Sequence, residues 1–209
     1  MELDPKHKEM IDKAFAQLSE GRPYERRYTV VSLGKLPILN DVFTECFKRY
    51  DKTLKEFKWL PEYYKVTEWM ADNQGKGLFM YGDCGRGKSN IILGVLKPMF
   101  KALNKYLPGF HASQLPNLNL DGTWNFHKYR DWKFSYIDEL GTESRVNNYG
   151  ERFEPFNEII NKAEQDLDIL IISSNLSDAQ FLERYGDRTM DRINRLCKII
   201  EFSGESLRP

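Results

Sequence analysis

The stretch Gly82-Asp83-Cys84-Gly85-Arg86-Gly87-Lys88-Ser89 follows the apolar run Leu78-Phe79-Met80-Tyr81 and completes the pattern G-x-x-x-x-G-K-[ST]. Its glycines permit backbone conformations closed to other residues. Successive N–H groups can then turn inward on phosphates, and the positive end of a following helix adds to the attraction. The pattern carries weight only with a strand before it and a helix after it. Gly77 to Tyr81 reads as that strand, and Asn90-Ile91-Ile92-Leu93-Gly94-Val95-Leu96 as the helix. Gly82, Cys84, Gly85, Arg86, Gly87, Lys88, Ser89 and Asn90 are the candidate binding set for ATP. Lys88 would reach the β- and γ-phosphates, and Ser89 would ligate Mg²⁺.

Farther along, Phe134-Ser135-Tyr136-Ile137-Asp138-Glu139 is an apolar strand ending in two acids, at the sheet edge where the phosphate loop sits. Paired acids also occur at ordinary helix starts, but beside a phosphate loop their roles separate. Asp138 would hold the Mg²⁺ shell, and Glu139 would polarise the water that attacks the γ-phosphate. The strand through Ile172 ends in Ser173-Ser174-Asn175, which brings an amide toward the γ-phosphate or the attacking water. A turn or helix-capping role is the alternative for Asn175.

Gly109-Phe110-His111-Ala112 and Lys198-Ile199-Ile200-Glu201-Phe202 complete five strands that alternate with helical segments. The expectation is a three-layer α/β sheet, mostly parallel, with its ligand at the carboxyl ends of the strands. Upstream, Pro61 opens a helix containing Tyr64, Val66, Trp69 and Met70, which Asp72-Asn73-Gln74-Gly75 ends. Residues 1–57 read as a helical N-terminal extension, and 58–209 as the nucleotide domain. Within the extension Met10, Ile11, Ala14, Phe15 and Leu18 share one helical spacing, and Leu39, Val42, Phe43, Cys46, Phe47 and Tyr50 share another. Between them lies the basic connector Arg22-Pro23-Tyr24-Glu25-Arg26-Arg27. These faces either pack on the core or form a partner-docking arm.

Basic and acidic residues balance at 31 each, so any nucleic-acid contact must come from a local patch. Cys46, Cys84 and Cys197 are far apart and odd in number, against a disulfide framework or a zinc site. Neither a signal-like N-terminus nor a membrane-length apolar run is present, and the expectation is a soluble, cytoplasmic protein. His111 and His127 lack metal-ligand spacing and read as packing or surface residues.

With the tandem acids and the Asn-bearing strand goes a tail, Arg184-Tyr185-Gly186-Asp187-Arg188-Thr189-Met190-Asp191-Arg192-Ile193, followed by Glu201-Phe202-Ser203-Gly204-Glu205-Ser206-Leu207-Arg208. Together with Asp138-Glu139-Leu140-Gly141-Thr142-Glu143, Asn148-Tyr149-Gly150 and Glu154-Pro155, they resemble the AAA+ ATPases of the bacterial helicase loader class, of DnaC and DnaI type. The IstB-type transposition proteins are similar. The resemblance spans roughly residues 58 to 208. It implies a P-loop AAA+ domain without a separate C-terminal lid, a weak ATPase until assembled, and a homo-oligomer when ATP is bound. Asp138 and Glu139 match the family's two acids, Asn175 its sensor residue, and Arg192 or Arg188 its trans-acting arginine finger, with Arg192 the first choice. The partners it implies are a hexameric replicative helicase and single-stranded DNA, or a transposase in the IstB alternative. Trp124-Asn125-Phe126-His127-Lys128-Tyr129-Arg130-Asp131-Trp132-Lys133 mixes cations and rings as a single-strand contact would, although such rings also pack in cores. A metabolic kinase is the third reading, and it would need an acceptor pocket and a lid.

Overall fold

The computed structural model describes residues 31–118, 133–148 and 151–208. The apolar helix read at residues 10–18, the connector at 22–27 and the cation–aromatic stretch at 124–132 lie outside them.

Five strands form one sheet: β1 (Gly77–Gly82), β2 (Gly109–His111), β3 (Phe134–Leu140), β6 (Ile169–Ser174) and β7 (Cys197–Phe202). Their spatial order is β2-β3-β6-β1-β7, and every pairing is parallel. From β1 the chain crosses to the far edge, returns through β3 and β6, and ends at β7 on the other side of β1. Strand side chains alternate between two cores, as a period of two requires. Leu78, Met80, Ile169 and Ile171 face one core, and Phe79, Leu170 and Ile172 face the other. Burial on both faces explains why β1 and β6 read as continuous apolar runs.

The first core is covered by α1 (Leu36–Tyr50), α2 (Pro61–Ala71) and α3, which follows the phosphate loop over residues 88–102. In α1, Leu39, Phe43 and Phe47 are buried at intervals of one helical turn. The described part of the N-terminal extension therefore packs on the nucleotide domain and shares its core. In α2 the buried face runs through Tyr63, Val66, Trp69 and Met70, while Tyr64 is exposed. The helix opened by Pro61 contains Tyr64, Val66, Trp69 and Met70, as the sequence predicts. Between Lys88–Asn90 and Lys97–Ala102, α3 is wound as a π-helix over Ile91–Leu96. Gly94 lies in that stretch where α1 crosses, and a Cβ there would come within 2.6 Å of the Tyr50 ring and its Cβ.

The second core is covered by α4 (Pro155–Asp166), α5 (Asp178–Tyr185), α6 (Asp187–Leu196) and a 3₁₀ segment, Ala112–Leu118. A short antiparallel pair, β4 (Val146–Asn148) with β5 (Glu151–Phe153), precedes α4. Together the sheet and its two helical layers make the three-layer α/β architecture expected from the sequence. Among the described residues no helix is long and apolar enough to cross a membrane.

Candidate nucleotide-binding and catalytic site

The loop between β1 and α3 curls at the carboxyl end of the sheet, beside the point where the chain departs to opposite faces from β1 and β6. Gly87 caps α3 with φ of 84°, in the left-handed region. A Cβ there would stand 2.7 Å from the Tyr63 hydroxyl and 2.8 Å from Phe47 Cζ, so glycine is required on two counts. Lys88 is buried, and its Nζ donates to the carbonyls of Gly82 at 2.8 Å and Asp83 at 2.7 Å. Burial pushes its ammonium below the usual lysine range, while Cys84, Asp83 and Glu139 act in the opposite sense.

Ser89 Oγ donates to Asp138 Oδ1 at 3.0 Å, and Ser173 Oγ donates to the same oxygen at 2.5 Å. Asp138 is buried behind these hydroxyls. Such an oxygen-only set of one carboxylate and adjacent hydroxyls suits a hard, partly hydrated Mg²⁺. Next to it the backbone of β3 bulges between Ile137 and Leu140, and Glu139 takes φ of 57°. A non-glycine residue there costs about 1–3 kcal/mol and persists only where its surroundings hold it. The bulge is held from one side by the Glu139 N–H donating to Ser173 Oγ at 2.9 Å. From the other, Thr142 N and Oγ1 donate to its carbonyl at 3.2 and 2.9 Å. The strand resumes with Leu140 opposite Ser174, so both acids lie within β3, where the sequence placed them at its end.

These groups surround a cavity of about 950 Å³. Cys84, Gly85, Arg86, Gly87, Lys88, Ser89 and Asn90 line it from the loop, and Glu139, Ser173 and Asn175 from the ends of β3 and β6. Asp138 stands one hydrogen bond behind Ser89, and Gly82 ends β1 at the base of the loop. Asn175 is exposed toward the cavity and makes no side-chain hydrogen bond among the described residues. The Arg86 guanidinium is committed elsewhere. It forms a buried ion pair with Glu62, with Nε 3.0 Å from Oε1, and its Nη1 donates to the Glu205 carbonyl at 3.1 Å. Arg86 therefore offers the loop its main chain, which Tyr63 also grips by donating to the Arg86 carbonyl at 3.0 Å.

Two chain segments distant in sequence complete the walls. Residues 51–60 join α1 to α2 and bring Thr53, Leu54 and Phe57 to the cavity. This linker is tied to the loop by Asn90 Nδ2 donating to Asp51 Oδ2 at 2.8 Å. After β7 the tail crosses the loop: Gly204 N donates to Asp83 Oδ2 at 2.8 Å and Leu207 N to the Gly85 carbonyl at 3.0 Å. Arg208 thereby reaches the cavity, which Lys55 and Lys58 of the linker also line.

The sequence matches no family model, and no curated protein matches it significantly. Solved structures do. The DnaC helicase loader superposes with a TM-score of 0.57 at 19% identity, over 75% of this chain and 99% of the other. DnaI gives 0.52 at 20% identity, over 85% and 90%. AMPPCP-bound DnaA from Aquifex aeolicus gives 0.53 at 20% identity over 77% of this chain and 52% of that one. The fold is the one that DnaC, DnaI and DnaA share.

Two expected arginines stand apart from the cavity. Arg192 lies on α6 against α4, with its Nε 3.0 Å from Glu164 Oε2. Arg188 is exposed and meets no acid among the described residues. Neither lines the cavity, so a γ-phosphate that either one touched would belong to another copy of the chain. His111, read from sequence as a packing or surface residue, meets Glu139 instead: its Nε2 is 2.9 Å from Glu139 Oε2. The parallel register sets His111 opposite Asp138, one residue from Glu139, and no linear motif carries that information. Ser173 was likewise missed. A polar residue at the carboxyl end of the strand beside the acid strand is the only sequence signal for it.

Proposed function

We propose that this chain is an ATP-dependent loader of a hexameric replicative helicase. The observation that carries the ATPase part is the convergence of Lys88, the Ser89–Asp138 pair, Glu139 and Asn175 on one cavity at the carboxyl edge of the sheet. The loop N–H groups and Lys88 would neutralise the β- and γ-phosphates. Phe57, Leu54 and Leu207 would offer apolar contact for the base. Ser89 and Asp138 would hold Mg²⁺, which supplies charge neutralisation between the phosphate oxygens. Glu139 would accept the proton of the attacking water, and Asn175 would orient that water or the γ-phosphate. Arg192, or Arg188 in its place, would complete the site of a neighbouring copy, which makes turnover depend on assembly.

The likeness to DnaC and DnaI supports the loader reading over other roles of this fold. In this reading ATP binding drives assembly and capture of single-stranded DNA, and hydrolysis releases the helicase. Residues 1–30 would form the arm that docks the helicase, since the rest of the extension is packed into the core.

The test is co-elution with the replicative helicase of the same organism, with and without ATP, beside a truncation lacking residues 1–30. Removal of those residues leaves α1 and the cavity-lining linker in place. Co-elution that is lost on truncation is the expected result. ATP-dependent DNA binding without helicase association in any nucleotide state would reject the loader assignment and favour a transposase partner.

A further inference from the structure

Behind the bulge that carries Glu139 lies a buried charge cluster with no part in the chemistry described above. Glu143 has no exposed side-chain surface, and one of its carboxylate oxygens, Oε2, accepts the Gly141 N–H at 2.8 Å. Its other oxygen, Oε1, accepts the Tyr185 hydroxyl and stands 3.3 Å from Arg184 Nη2. Arg184 also grips the turn directly, with Nη1 donating to the Gly141 carbonyl at 2.5 Å and Nη2 to the Glu143 carbonyl. Burial, reinforced by Glu143, pushes the Tyr185 phenol far above its usual range, so it remains an O–H donor. Arg184 and Tyr185 are the last two residues of α5, and only Gly186 separates them from α6 with Arg188 and Arg192.

The geometry follows from the sequence of contacts. Glu139 sits in a left-handed conformation, which lasts only if the turn after it is held. Its carbonyl is closed by Thr142 and the next turn residue, Gly141, is held on both its N–H and its carbonyl by Glu143 and Arg184. A buried carboxylate stripped of its partners is costly, so all its partners move together or not at all. We infer that Glu143 is a positioning residue that, with Arg184 and Tyr185, fixes the Glu139 carboxylate for water activation and joins that turn to the arginine-bearing helix. The inference rests on the ATPase reading of Glu139.

The test is Glu143→Gln. An amide there sets an NH₂ against either the Gly141 N–H or the Arg184 guanidinium, donor facing donor, with little change of volume. Loss of one charge-assisted contact is expected to lower kcat about tenfold or more while KM for ATP stays within about twofold. The effect acts through Glu139, so adding Glu143→Gln to Glu139→Gln should lower residual single-turnover hydrolysis no further; a merely structural role would add to it. Wild-type kcat for Glu143→Gln, a loss confined to KM, or full additivity with Glu139→Gln would each overturn the inference. If Glu143→Gln does not fold, Tyr185→Phe removes only the phenolic donor; it should cut kcat about threefold at unchanged KM, and an unchanged kcat overturns the inference. Failure of the underlying reading looks different: there Glu139→Gln itself hydrolyses ATP at the wild-type rate.

Discussion

Glu139→Gln is expected to bind ATP with wild-type affinity and to hydrolyse it about 10²- to 10⁴-fold more slowly, the range typical of a lost general base. The substitution is nearly isosteric. The bulge is held through main-chain groups of Glu139, its N–H on Ser173 and its carbonyl on Thr142, and an amide side chain leaves both untouched. Lys88 and the Ser89–Asp138 pair, which would bind phosphate and metal, are not altered. Only the charge that would accept the proton of water is removed. Equilibrium binding of a fluorescent ATP analogue beside a phosphate-release assay separates the two effects. Normal turnover by Glu139→Gln would reject the water-activating role and leave Glu139 as a structural partner of His111.

Arg192→Ala is expected to keep ATP binding and to lose turnover in the assembled state by about 10³- to 10⁵-fold, as removal of an arginine finger does in comparable enzymes. The fold should tolerate the change. Arg192 and Arg195 share Glu164, so that acid keeps the Arg195 contact at 2.9 Å when Arg192 is removed. Partly exposed pairs of this kind contribute less than about 1 kcal/mol each. Neither arginine lines the cavity of its own chain, so wild-type turnover per chain should rise with protein concentration, whereas that of Arg192→Ala stays flat. If Arg188→Ala alone produces this flat response, the finger is Arg188, which is exposed and already clear of acidic partners among the described residues.

The parts of the molecule legible in the sequence are those encoded locally. β1 and β6 announce themselves because strands buried on both faces are apolar throughout, and α1 and α2 because apolar spacing marks their inner face. The phosphate loop is legible for a related reason: its glycines and Lys88 act through their own backbone positions. The β4–β5 pair was not, since Val146-Asn147-Asn148 and Glu151-Arg152-Phe153 carry no alternation of apolar and polar residues. Nor was the π-winding of α3, which appears where Tyr50 on another helix packs against Gly94. At the site the invisible residues are those delivered by topology. His111 and Ser173 arrive through strand register, Thr53 to Lys58 through the packing of α1, and Arg208 through the tail folding over the loop. Arg86 illustrates the converse: its place in the motif suggests phosphate contact, yet its guanidinium is held by Glu62.

The most direct test of the account is calorimetric titration of the protein with ATP and Mg²⁺. The expected result is one nucleotide per chain, with affinity weakened about ten- to hundredfold by Lys88→Ala, the cost of a lost charge-assisted contact, and weakened again by chelation of Mg²⁺. Absence of binding, or binding that is indifferent to both Lys88→Ala and the metal, would contradict the assignment of the cavity.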